Sequence, residues 1–140
     1  MNIQIKKLHP DAATPEYAHT SDAGADLRAI ERVVLSSGEQ KKISTGIALA
    51  LPEGYACFIW DKSGIACNRQ LKVMGGVIDA GYRGEIIVTL HNLGQEQQVF
   101  EPGDKIAQMI IQKVESPTFI ESQKLVDGER KTAGFGSTGR

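Results

Sequence analysis

A carboxylate and a phenol, Asp79 and Tyr82, stand in the densest stretch of the chain, Gly76 to Ile86, reading GVIDAGYRGEI. Asp79 directly follows the apolar pair Val77 and Ile78, where a strand end lifts a side chain into a cleft. Glycines at 75, 76, 81 and 84 lack a Cβ, which lets the backbone take positive φ and lets a ligand come close. A plain hairpin, with Val77–Ile78 turning back through Ala80–Gly81 into a strand from Arg83, explains the glycines. It does not explain a carboxylate directly behind an apolar pair.

Further patches pair small residues with groups suited to phosphate, metal or base. In Ser21 to Ala29, Asp22 and Asp26 suit Mg²⁺, directly or through waters; the bland alternative is a solvated turn. Lys62, Ser63 and Gly64 offer an ammonium, a hydroxyl and backbone N–H groups, a set that suits phosphate, or else Ser63 merely caps a helix. Gln108 lies among apolar residues, where an amide commonly just satisfies neighbouring backbone. Arg130, Phe135, Ser137 and Thr138 stand among small residues near the chain's end. A purely solvated tail has little use for Phe135. A Gly-rich arm could close over a nucleotide, with the ring on the base and hydroxyls and N–H groups on phosphate.

The elements that must position these groups are short. Asn2–Lys7, Glu31–Ser36, Gln40–Leu51, Tyr55–Trp60 and Leu71–Met74 read as strands. Arg83–Asn92 alternates cleanly, with Ile86, Val88 and Leu90 on one face and Ile87, Thr89 and His91 on the other. Asp104–Val114 has an ambiguous period, but its β-branched residues favour a strand, and Pro117–Ser122 is expected to add a last one. Only Lys62–Asn68 suggests a helix, a short one. Many short strands with frequent turns predict an all-β sandwich or barrel.

Composition narrows the partners. The 140 residues suit one domain with a real core, and the formal charge of -1 lacks the basic excess that nucleic-acid binding requires. No apolar run is long enough to span a membrane, and the first residues lack a signal-peptide core. Cys57 and Cys67 have no metal-ligand spacing around them and read as reduced thiols, which places the chain in a soluble, reducing, cytoplasmic setting.

In order and spacing, the five patches resemble the five motifs of the homotrimeric dUTPases, the deoxyuridine triphosphate nucleotidohydrolases. GVIDAGYRGE and the terminal GFGSTG are the most specific; DAGADL and DKIAQM are less so, and the Ser-Gly alone is weak. The resemblance implies a jelly-roll-like β subunit over residues 1–126, a flexible C-terminal arm over 127–140, and a homotrimer with active sites at subunit boundaries. It implies Mg²⁺ as cofactor and dUTP as substrate. The products would be dUMP and pyrophosphate, which keeps uracil out of DNA and supplies dUMP. By resemblance, Asp79 is the general base that activates the water attacking the α-phosphate, and Tyr82 packs under the deoxyribose. The backbone from Val77 through Ile78 to Asp79 is similar to the edge that reads uracil. Lys62, Ser63, Gly64 and Gln108 match phosphate-contacting positions, and Asp26 matches the carboxylate that reaches Mg²⁺ through water. Arg130, Phe135, Gly136, Ser137 and Thr138 match the closing arm.

The chain departs from the family pattern at Lys62, where arginine is usual, and at Val73, where asparagine is common. Lysine keeps the charge but loses the two-pronged grip. Lys131 and Ala133 stand where the family's tail commonly has glycine. Two rivals compete with this reading. A dCTP deaminase of the same superfamily wants a carboxylate in the middle of the strand after Arg83, whose only glutamate is Glu85 at its start. A nucleotide-responsive binding protein would use the closed arm as a signal to a partner.

Overall fold

A computed structural model describes residues 1–128. Its strands are β1 (Gln4–Lys7), β2 (Ala25–Arg28), β3 (Val33–Leu35), β4 (Gln40–Ala50), β5 (Tyr55–Trp60), β6 (Leu71–Met74), β7 (Val77–Ile78), β8 (Glu85–Asn92), β9 (Gln98–Phe100) and β10 (Lys105–Lys113). One short helix, α1 (Ser63–Arg69), interrupts them. Two four-stranded antiparallel sheets run in the orders β1-β4-β8-β6 and β2-β10-β5-β7, and β3 pairs with β9 in a small third sheet.

The expected alternation of β8 is present. Ile86, Val88 and Leu90 are buried, while Ile87, Thr89 and His91 are half-exposed. From the other sheet, Leu27, Cys57, Ile59, Ile106 and Met109 join the same core. The two sheets are therefore the layers of one sandwich. The unclear period of β10 has a physical cause: its register with β2 slips between Lys105 and Ala107, and Ile106 and Ala107 are both buried. A bulge of this kind re-aims side chains next to functional sites.

Three sequence expectations need correction. Val77–Ile78 and the strand after Arg83 do not form a hairpin, because β7 pairs with β5 while β8 pairs with β4 and β6 in the other sheet. The turn glycines mark the bend but cannot tell which partners the strands take. Ser63 does not cap α1; Lys62 occupies the cap position, with no side-chain capping bond. Pro117–Ser122 forms no strand, and Phe119 and Ile120 are 93% and 86% exposed.

Candidate active site

β2, β10 and β5 lie side by side, and their register aligns Asp26 with Gln108 and Gln108 with Trp60. Directly opposed residues share a face of the sheet, so three of the five patches meet here. Asp26 is buried, at 6% exposure, and both its oxygens are engaged: Oδ1 by the Lys62 ammonium and Oδ2 by the Lys105 ammonium at 2.5 Å. Burial pushes the Asp26 carboxyl upward, but the hydrogen bonds and charges of Lys105 and Lys62 outweigh it and hold the group below its ordinary value. The Gln108 side chain donates through Nε2 to the Asp61 carbonyl at 2.8 Å. Its Oε1 lies 2.3 Å from where a Cβ on Gly24 would stand, so only glycine at 24 leaves room for this amide. The Gln108 amide therefore satisfies a neighbouring backbone carbonyl. Ser63 and Gly64 are exposed beside this group. Asp22 does not join it through its carboxylate, which accepts the His19 N–H at 2.9 Å in a local turn.

The second half of the site is an edge strand. Ile59 N–H donates to the Gly76 carbonyl at 2.7 Å, and Ile78 lies opposite Cys57. Hydrogen-bonded pairs alternate along an antiparallel ladder. Gly76 and Ile78 therefore direct their main-chain groups toward β5, while Val77 and Asp79 direct theirs away. β7 is the last strand of its sheet. Its outer edge presents, in order, the Val77 N–H, the Val77 carbonyl and the Asp79 N–H: donor, acceptor, donor. The Ile78 side chain packs on the core, and the Asp79 carboxylate is exposed. Gly76 has φ +99°, and a Cβ there would meet the Ile59 carbonyl oxygen at 2.7 Å. That glycine is what lets β7 lie against β5.

The loop after Asp79 is held by its own hydrogen bonds. Tyr82 N–H donates to the Asp79 carbonyl at 3.1 Å, and Tyr82 OH donates to the Glu85 carbonyl at 2.9 Å. A Cβ on Gly84 would fall 2.4 Å from the Tyr82 hydroxyl oxygen. The ring is thereby pinned against Gly84, yet 44% of the residue stays exposed. Glu85 anchors the loop's far end by accepting the Gly46 N–H at 2.7 Å.

The two halves do not meet within the described chain. Ile78 stands at the level of Cys57, whereas Asp26 stands at the level of Trp60 and on the opposite edge strand. At ~3.3 Å per residue along the strands and ~4.8 Å between them, Asp79 and Asp26 are roughly 20 Å apart. A cleft of about 250 Å³ lined by Trp60, Lys72, Val73, Gly75, Gly76 and Val77 flanks β7. A cavity of about 600 Å³ runs along β1 and β4 and reaches Arg83, the residue after Tyr82.

Among the described residues, no cluster of three or more His, Cys, Asp or Glu could cage a metal. Asp26 is a carboxylate already paired with two lysines. That donor set does not fit an ion held by protein alone. It fits Mg²⁺ that would arrive on a triphosphate with its own waters and need only one protein carboxylate.

The dUTPase family model matches residues 11–139. The chain belongs to the dUTPase family. The deoxyuridine 5'-triphosphate nucleotidohydrolase of Thermobifida fusca is 49% identical over 99% of this chain and 79% of its own length. That of Solibacter usitatus is 41% identical over 100% and 97%. Among solved structures, a variant of the Staphylococcus bacteriophage 80alpha dUTPase with dUpNHpp superposes with a TM-score of 0.94 at 28% identity, covering 99% of both chains. A variant dUTPase from phage phi11 of S. aureus, described with a structural Mg(II) ion, gives 0.83 at 27% identity over 89% of this chain and 98% of its own.

Arg130, Phe135, Gly136, Ser137 and Thr138, with Lys131 and Ala133, lie outside the described residues. Val73, where the family often has asparagine, is 6% exposed and belongs to the core. Lys105, a partner of Asp26 that the motif chemistry does not single out, stands in DKIAQM three residues before Gln108, the one signal the sequence offers for it. Asp61 is another such residue: its carbonyl holds Gln108, and its carboxylate accepts the Val73 N–H at 2.6 Å. No helix among the described residues is long and apolar enough to cross a membrane. Both cysteines are free, and burial pushes the Cys57 thiol up to about 11.

Proposed function

We propose that this chain hydrolyses dUTP to dUMP and pyrophosphate in sites composed from neighbouring subunits of a homotrimer. The observation that carries the reading is the outer edge of β7. Its donor-acceptor-donor order complements the acceptor-donor-acceptor order of uracil O2, N3–H and O4. Cytosine would set its exocyclic amino donor against a backbone N–H, and one such mismatch is worth about 1–3 kcal/mol.

Around that edge the roles follow. Tyr82, held on Gly84, packs its exposed ring against the deoxyribose and excludes a 2′-hydroxyl. Asp79 accepts a proton from water as the water attacks the α-phosphorus; the bond to the bridging oxygen breaks and pyrophosphate leaves. Lys62, Ser63, Gly64 and Gln108 receive the phosphate oxygens. Asp26 would hold Mg²⁺ brought by the triphosphate, and the ion would supply charge neutralisation there. Lys62 must leave Asp26 to reach phosphate, while Lys105 keeps the carboxylate paired. Arg130, Phe135, Gly136, Ser137 and Thr138 form an arm over residues 127–140 that closes on the base and phosphates and shuts out bulk water.

The roughly 20 Å between Asp79 and Asp26 supports assembly, since one chain cannot bring both to one nucleotide. So do Phe119, Ile120, Leu125 and Val126, each more than 80% exposed and in need of cover. Glu85, the one acidic group of β8, is committed to Gly46, which disfavours the deaminase alternative.

The test is release of pyrophosphate and ammonia from each deoxynucleoside triphosphate. Pyrophosphate from dUTP alone is expected; ammonia from dCTP, or binding without turnover, would overturn the reading.

A further inference from the structure

Asp61 joins three parts of the molecule and has no role in the chemistry above. It follows the last residue of β5 and precedes Lys62. Its Oδ1 accepts the Val73 N–H at 2.6 Å, its Oδ2 pairs with the Lys72 ammonium at 2.5 Å, and its carbonyl accepts Gln108 Nε2 at 2.8 Å. β5 and β6 belong to different sheets, with no ladder between them. The carboxylate therefore ties the corner at which the chain leaves one sheet and the phosphate-side residues begin.

The two carboxylate contacts differ in weight. Lys72 is 49% exposed, and an exposed ion pair contributes little. The Val73 N–H belongs to a buried residue and would lose its partner if Asp61 were removed. The backbone of Asp61 is thus fixed chiefly through Oδ1, and what is fixed there is the acceptor that orients the Gln108 amide and the start of the segment that carries Lys62.

We propose that Asp61 is a positioning residue for the triphosphate: anchored to β6, it holds Gln108 and Lys62 at the phosphate oxygens without touching the nucleotide. The proposal rests on the roles given above to Gln108 and Lys62. It predicts selectivity, because dUMP lacks the β- and γ-phosphates while keeping the base and sugar contacts.

The experiment compares the wild type with Asp61→Ala, Asp61→Asn, Asp61→Glu and Lys72→Ala. Affinities for dUMP and for a non-hydrolysable imido analogue of dUTP are read by fluorescence of Trp60, the single tryptophan. kcat, KM and melting temperature are measured alongside. A misplacement near 1 Å costs up to ~10²-fold, so Asp61→Ala should lose about tenfold or more in analogue affinity and in kcat/KM while dUMP affinity stays within about twofold. Asp61→Asn keeps an acceptor for Val73 and should stay within about threefold of the wild type. Lys72→Ala should stay within about twofold. Equal losses for dUMP and the analogue would reveal a merely structural residue and overturn the proposal. So would an unaffected Asp61→Ala, or an Asp61→Asn as damaged as Asp61→Ala. Should Asp61→Ala not fold, Asp61→Glu decides: the longer side chain should cost about threefold or more for the analogue only, and an unchanged analogue affinity refutes the role. A wild type that binds the analogue without releasing pyrophosphate from dUTP would sink the hydrolysis reading and leave the Asp61 test standing.

Discussion

Replacing Gly76 with alanine should damage base recognition through backbone geometry alone. The added Cβ would sit 2.7 Å from the Ile59 carbonyl oxygen, where ordinary contact begins near 3.4 Å, so β7 must retreat by roughly 0.7 Å. That retreat lengthens the Ile59–Gly76 hydrogen bond from 2.7 Å to about 3.4 Å and weakens it, at up to about 0.5–1.5 kcal/mol. The φ of +99° adds about 1–2 kcal/mol for a residue with a Cβ. The total, about 1.5–3.5 kcal/mol, should lower the melting temperature by several degrees. The same displacement moves Val77 and Asp79 relative to the rest of the frame, so dUMP affinity should fall about tenfold or more. Gly75→Ala is the control. Gly75 has φ +71° but open space where its Cβ would go, so it carries the conformational cost without the clash. Calorimetric titration with dUMP and thermal melts of both variants test the argument. Equal loss of dUMP affinity in the two variants, or none in Gly76→Ala, would refute the claim that the β7 edge reads the base.

Asp79→Asn should leave the melting temperature and dUTP binding near wild type while cutting turnover by ~10² or more, and near-normal turnover would remove Asp79 from the mechanism. Gly84→Ala, whose Cβ would strike the Tyr82 hydroxyl, should raise the UTP/dUTP rate ratio toward that of Tyr82→Ala; an unchanged ratio would mean that the ring does not select the sugar. The Asp26 carboxyl is held below its ordinary value, so its contribution to stability is present above the unfolded value of about 3.8 and is lost as pH falls through the folded one. Acid melts of Asp26→Asn should therefore show a shallower loss of stability below pH ~4 than the wild type, and parallel curves would contradict the pairing with Lys62 and Lys105. At pH 8 a thiol reagent should label exposed Cys67 at once and buried Cys57 only on unfolding; rapid labelling of both would argue against the packing of β5.

What the sequence disclosed followed from local rules. The two-residue period of β8 and the chemistry of each patch were legible because they depend on neighbours in the chain. Partners were not. The bend after Asp79 reads as a hairpin because its glycines specify a turn, yet β7 and β8 enter different sheets. Nothing local links Lys105 to Asp26 or Asp61 to Val73, since β-pairing and a change of sheet bring them together. The bulge at Ile106 blurred the period of β10 for the same reason, because a slip in register is defined only against the partner strand. The motifs assign Asp79 and Asp26 to one site, whereas the register places them at opposite edges of a sheet.

That separation gives the most direct test. Two defective chains are prepared, one carrying Asp79→Asn and the other Lys62→Ala with Gln108→Ala, each nearly inactive alone. They are unfolded, mixed in equal amounts and refolded, and trimer formation is checked by light scattering. If each site takes its β7 edge from one subunit and its phosphate side from a neighbour, about one site in four of the random mixture receives both intact halves, and dUTP turnover should recover to about a quarter of the wild-type rate. Mixed trimers with no more activity than the parent variants would mean that each site is built within a single chain, and the composite account would be wrong.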